Sequence, residues 1–235
     1  MVLLHALSRP RPSVVGLAVA VLGVALSVWM MRQQSQAVAM VDRARFEQAA
    51  QSFADAMRQS IAANTEVVQG LRSLFTANPD LGRADFDRVA RELDIKQRYP
   101  GVRNLSFTRH VPGDQRMAYE ARVRADTSLH PQGYPDFAIK PAGERHEYFV
   151  AEYLWPMEGN ESVMGWDISA KPTNLEAMRY SRETGLVVAS GPFDLLQEES
   201  HRAAFVLRVP VFDRTRDPVS LRFIGAVAST IRVYD

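Results

Sequence analysis

The sequence predicts an α+β protein, with one long helix continuing from an apolar membrane segment and a mainly antiparallel sheet after it. Three observations carry this. Ser13 to Met31 (SVVGLAVAVLGVALSVWMM) runs 19 residues without a charge. Neither glycine nor proline interrupts the chain between Gly23 and Gly70. After Tyr99 the pattern changes to strand-like runs interleaved with single helices, the order of an α+β domain.

At 1.5 Å per residue the uncharged run makes a helix of about 28 Å, close to the hydrocarbon thickness of a bilayer. Arg9 and Arg11 precede it, Trp29 lies near its far end and Arg32 closes it, flanks that suit interface anchoring. A cleaved signal peptide is the competing reading. Its apolar region is usually shorter and is followed by a small-x-small cleavage site, which Val28-Trp29-Met30-Met31-Arg32 does not offer. The favoured division is a cytoplasmic N-terminus (1–12), a transmembrane helix (13–31) and a soluble part outside the inner membrane. Arg32, Arg43 and Arg45 blur the charge count that sets orientation.

Beyond the membrane, Phe46, Phe53, Val67 and Leu74 recur every seven residues, with Ser60 in the remaining position. Ala50, Met57, Asn64 and Leu71 repeat four residues behind the first four. This heptad pattern, with a polar step at Ser60 and Asn64, predicts a signalling or dimer helix over 32–78 and a parallel homodimer along it. Ile61, Val68 and Phe75 widen the stripe, so packing on the helix's own domain is an equal reading of the distal half. Asn78-Pro79 ends the helix. A short helix follows, with Phe86, Val89, Ala90 and Leu93 on one face. Val102 to Val111 reads as a strand and Asp114 to Ala125 as an amphipathic helix. Glu147 to Trp155 (EYFVAEYLW) reads as a central strand, and Pro172 to Thr184 as a helix stopped by Gly185. Leu186 to Ser190, Ala203 to Phe212 and Leu221 to Tyr234 are three further strands.

Lysine plus arginine (28) nearly cancel aspartate plus glutamate (27), so no basic field attracts nucleic acid. Cysteine is absent, which excludes disulfides, thiolate metal sites and cysteine nucleophiles together. His5, His110, His130, His146 and His201 share no metal-ligand spacing. No phosphate-cradling glycine loop and no Gly-x-Ser-x-Gly elbow is present, and no pair of carboxylates is spaced as a general acid and base. These absences count against a hydrolase and predict a chain with no catalytic residues, no metal and no cofactor.

From Arg98 onward the motifs form an ordered series. Arg98-Tyr99-Pro100-Gly101-Val102, Leu105-Ser106-Phe107 and Arg109-His110-Val111-Pro112 come first. Asp136-Phe137-Ala138-Ile139, Gly143-Glu144-Arg145, Glu147-Tyr148-Phe149 and Gly165-Trp166-Asp167 follow, then Arg182-Glu183-Thr184-Gly185 and Val209-Pro210-Val211-Phe212. This series resembles the CHASE domain over about 44–234. The resemblance implies a long helix followed by two PAS-like modules in 79–235, acting as the extracytoplasmic sensor of a membrane receptor. It further implies that the chain is the sensor portion of a histidine kinase or diguanylate cyclase, with a second membrane helix and a cytoplasmic output domain beyond Asp235.

In cytokinin-binding members, an aspartate in the segment matching Gly165-Trp166-Asp167 anchors the ligand, and a required threonine matches Thr184. A backbone carbonyl near Ala189 is a second acceptor by the same similarity. A further ligand-contacting threonine falls where this chain has Glu198-Glu199, a departure that separates it from the cytokinin binders. The predicted small-molecule site is therefore Asp167, Thr184 and Ala189, with Tyr153, Trp155, Trp166, Met178 and Phe193 as its wall. The bland alternative for Asp167 is a helix cap or a partner for an arginine. At the level of the whole chain, the alternative is a membrane-anchored oligomerising protein without a ligand.

Overall fold

A chain without glycine or proline for 46 residues has no chemical reason to leave the helical state, and α1 (Pro12–Ala77) is continuous over 66 residues. The computed structural model describes residues 12–99, 101–194, 203–215 and 221–232, with the side chains of 12–15, 18, 35–39, 41, 194 and 203 left aside. The cytoplasmic segment predicted before Pro12 lies outside the described residues, as do His5, His201 and Glu198-Glu199. The chain divides into two compact units, 1–58 and 59–235.

In the first unit, the described apolar side chains from Leu17 to Met31 are exposed along the helix. Among the described residues no helix is long and apolar enough to cross a membrane. Further along, Phe46 and Phe53 are 75% and 66% exposed, and Met57 is exposed as well.

The second unit begins with the last turns of α1. Asn78 closes them, its N–H donating to the Leu74 carbonyl at 2.8 Å, and α2 (Arg83–Glu92) and α3 (Ile95–Arg98) follow. The sheet is antiparallel and comprises β1 (Val102–Pro112), β2 (Glu147–Trp155), β3 (Val188–Ala189), β4 (Phe193–Asp194), β5 (Ala203–Asp213) and β6 (Arg222–Arg232). Strand order is β2-β1-β6-β5-β3, with the short β4 also pairing β5. Between β1 and β2 lies α4 (Arg116–Arg124), and α5 (Pro172–Thr184) precedes β3. Proline opens α5 and Gly185 closes it in the left-handed region (φ 74°), where a side chain would be strained.

Two expectations change. The described strands form one sheet, where two sheet-bearing modules were implied by the resemblance. The intervening chain supplies α4 and irregular backbone, with Lys140 joining Trp166 only through an isolated bridge. Glu147–Trp155 was read as a central strand, yet β2 ends the strand order. It is apolar because its outer edge is covered. Ala151 donates to the Trp166 carbonyl and accepts from the Gly165 N–H, both at 2.9 Å. Gly165 has a φ of 82°, and a Cβ there would stand 2.5 Å from the Ala138 carbonyl oxygen. Glycine lets the covering segment come this close.

One face of the sheet carries the main core. Leu105, Phe107, Tyr153, Val209, Val211 and Val227 pack against Val67, Val68, Leu71 and Phe75 of α1 and Phe86 of α2. Phe75 stacks on Phe107 with centroids 4.1 Å apart and planes inclined by 12°. The distal half of the heptad pattern is thus buried within its own domain. Asn64, read as a register-setting position between twin helices, is buried there too, accepting from Ser229 Oγ at 3.4 Å and donating to the Ser60 carbonyl at 2.8 Å.

Candidate functional site

Side chains alternate across a strand, so the residues between the core positions face the other way. On β1 these are Asn104, Ser106 and Thr108, and on β5 Val206 and Arg208. Register lines them up in rows. Arg208 stands opposite Ala228, Ala228 opposite Ser106, and Ser106 opposite Leu154. The next row runs Val206, Thr230 and Asn104. All seven side chains border one cavity of about 70 Å³. Its other wall is Val163, Trp166 and Ile168 from the segment covering β2, Lys171 and Asn174 from the start of α5, and Phe193.

This face is buried but polar: Asn104, Ser106, Thr108, Asn174, Arg208 and Thr230 are all buried. Several satisfy one another. Asn104 Nδ2 donates to Asn160 Oδ1 at 2.9 Å. Arg208 is the exceptional group. It is 2% exposed, the largest of the fully buried side chains. Its Nη1 donates to the Asn174 carbonyl at 3.2 Å and its Nη2 to Asn174 Oδ1 at 2.6 Å. Among the described residues no carboxylate pairs with it, and buried Nε has no hydrogen-bond partner. Burial alone pulls the guanidinium pKa down to about 10, which still leaves it charged at neutral pH.

The sequence-predicted site residues separate into groups. Trp166 and Phe193 border the cavity. Met178 lies in an adjoining cluster with Phe149, Phe223 and Ala226. Tyr153 belongs to the opposite, apolar face, and Trp155 packs against that same cluster. Thr184 is exposed at the end of α5, its hydroxyl donating to the Tyr180 carbonyl at 2.7 Å. Ala189 lies exposed in β3, opposite Leu207.

Asp167 is 0% exposed, and groups of the chain occupy its oxygens. Oδ1 accepts from the backbone N–H groups of Phe149 (3.0 Å) and Ser169 (3.1 Å). Oδ2 accepts from Ser169 Oγ at 2.7 Å and lies 3.5 Å from Arg145 Nη1. The side chain caps the short 3-10 turn Ile168–Ala170 and ties it to β2. The resemblance implied a ligand as the partner of this carboxylate; among the described residues its oxygens meet backbone N–H groups, a hydroxyl and a guanidinium.

Sequence reasoning passed over Arg208, Asn174, Ser106 and Thr108. The signal was present. A lone arginine interrupts the apolar run Ala203 to Phe212, and polar residues alternate with Leu105 and Phe107 on β1.

Among the described residues no cluster of histidine and carboxylate side chains is placed to hold a metal. His110 Nε2 is 2.9 Å from Glu147 Oε2, and its ring lies between those of Phe149 and Phe223.

Residues 79–235 match the CHASE domain, two thirds of the chain. The chain belongs to the CHASE family. CHASE domains are extracytoplasmic sensor domains of membrane receptors rather than catalytic domains. The match begins just after α1, so the CHASE sheet and its buried polar face both fall within it. No curated protein matches the chain.

Proposed function

We propose that this CHASE domain is the ligand-sensing input of a membrane signal-transduction receptor and binds a small molecule in the cavity between its polar sheet face and α5. The observation that carries this reading is the cavity itself. A sheet face that is buried, polar and incompletely filled suits a ligand better than it suits folding, because unpaired polar surface is costly to bury. The uncharged run 13–31, some of whose side chains lie outside the described residues, is the segment we assign to anchoring the chain in the inner membrane, with the CHASE domain on the periplasmic side. The exposed run Leu17–Met31 supports that placement. The receptor's output is a cytoplasmic kinase or cyclase domain.

The route from the cavity to the distal half of α1 is short. Ser106 borders the cavity and its neighbour Phe107 stacks on Phe75 of α1. Thr230 borders the cavity and its neighbour Ser229 bonds Asn64 of α1. A ligand that repositions β1 or β6 therefore bears on the helix directly. Phe46, Phe53 and Met57, exposed on the proximal half of α1, form the seam of a parallel homodimer.

Thermal-shift screening of small metabolites on the full chain in detergent tests the reading. A hit should stabilise the wild type, and Ala228→Leu, which fills the cavity, should abolish the shift. Equal stabilisation of Ala228→Leu would place the ligand elsewhere. The same exposed seam favours a second reading, an anchored oligomerising protein without a ligand. Cysteines placed singly along residues 43–57 should crosslink between chains with a seven-residue period under either reading, and only the sensor reading predicts that a ligand changes the profile.

A further inference from the structure

Granting the cavity as the ligand site, Arg208 fixes the class of ligand. We infer that the cavity takes a small carboxylate-bearing molecule whose anionic group pairs with the Arg208 guanidinium. Arginine is rarely buried without a carboxylate or phosphate, because an unpaired ion in the interior loses its hydration without compensation. Here the only partner among the described residues is Asn174, a neutral amide, and it occupies Nη1 and Nη2. Nε retains its donor. The guanidinium presents a planar fork, and a carboxylate is the small anion that matches it.

The surroundings agree. The 13-residue helix α5 starts at the cavity, which its N-cap residue Lys171 and Asn174 of its first turn border, and a helix start carries partial positive charge. Lys171 Nζ lies 5.1 Å from the centroid of the Phe193 ring, a second cation on the same wall. Among the described residues no aspartate or glutamate borders the cavity. Across the sheet from Arg208, Ser106, Thr108 and Thr230 offer hydroxyls for a polar substituent, while Ala151, Leu154 and Trp166 flank the path between. A cavity of about 70 Å³ holds about five water-sized groups. That fits an acid of roughly two to four carbons and excludes a purine-sized ligand without rearrangement.

Paired compounds separate charge from shape. The full chain in detergent is titrated at neutral pH with acetate, pyruvate, lactate and succinate, beside the neutral amides acetamide and lactamide, with inorganic phosphate as a third class. At least one carboxylate should raise the melting temperature where its amide does not. Arg208→Gln should weaken that carboxylate about 10- to 100-fold, the loss of one charge-assisted pair. Ala228→Val, which narrows the space facing Arg208 and leaves the charge in place, should also weaken it. This second variant decides the matter if Arg208→Gln does not fold. Amides binding as well as acids, or phosphate binding in place of acids, overturns the inference about class while leaving a small-molecule site standing. Failure of every acid in the panel, or a carboxylate response that survives both substitutions, overturns the inference outright.

Discussion

The two faces of the β1–β6–β5 strip come from alternate residues of the same strands, yet they bury opposite chemistry. Toward α1 lie Leu105, Phe107, Val209 and Val227, closed by an aromatic stack on Phe75. Toward α5 lie Asn104, Ser106, Arg208 and Thr230, and they surround a cavity. The first face is packed as a core is packed, and its side chains need nothing beyond their neighbours. The second retains donors that neighbouring side chains leave unmatched. Folding stability and ligand recognition have been assigned to opposite sides of a single sheet, separated by one residue of register.

The largest test of that division is on the packed side. Phe75→Ala removes the ring stacked on Phe107 and in contact range of Phe86 and Tyr153. It should cost about 3–5 kcal/mol by chemical denaturation. A loss below 1 kcal/mol would mean that the α1 face is not the principal core.

Next in size comes Asp167, which lies on the cavity side and is fully matched by the chain. Asp167→Asn replaces an acceptor with donors facing Ser169 and Arg145, and should cost about 1–3 kcal/mol without any ligand present. A melting temperature unchanged by the substitution, together with lost ligand response, would restore Asp167 as the anchor itself.

These two residues also show how far the sequence could be read. The long helix, the boundaries of β2 and α5 and the end at Gly185 follow from local rules, since helix breakers and apolar periodicity act within a few residues. Phe75 was legible as part of the distal stripe. Asp167 was singled out correctly as a polar residue in a costly place, but its partners Phe149 and Arg145 are 18 and 22 residues away, beyond any spacing rule. The cavity was less legible still. Of the eight residues named from sequence, Trp166 and Phe193 reach it, because which face of a strand meets α5 depends on the register of β1, β6 and β5. Arg208 carried its signal within one strand, and the absence of a carboxylate partner among the described residues is a tertiary fact.

A smaller effect separates satisfied buried charge from the unsatisfied kind. Glu120 feels burial, which raises its pKa, but the Ile139 N–H, Arg116 and Arg124 outweigh it and hold the carboxyl below its usual value. Because the native pKa is lowered, the resulting stability is fully present above the ordinary glutamate range and is lost as pH falls through the native value. Glu120→Gln should cost about 1 kcal/mol at neutral pH and progressively less in acid. Equal cost at every pH would show that Glu120 acts through shape and not charge.

The smallest change in stability, and the sharpest contrast with Phe75, is expected at Ser106. Its neighbour Phe107 faces the core, while its own hydroxyl borders the cavity and makes no hydrogen bond to another described residue. Ser106→Ala removes one oxygen from a site where no protein group depends on it, so the folded state should change by less than about 0.5 kcal/mol. If a ligand's polar substituent reaches across from Arg208, the same substitution removes its partner. Affinity should then fall by about 3- to 10-fold, one neutral hydrogen bond's worth. Phe75→Ala predicts the reverse pattern, a large loss of stability with affinity retained in the folded fraction. Denaturation and ligand titration on the two variants, one on each side of the sheet, would separate the faces. A Ser106→Ala variant as destabilised as a core truncation would make the polar face part of the packed interior and merge the two sides into one.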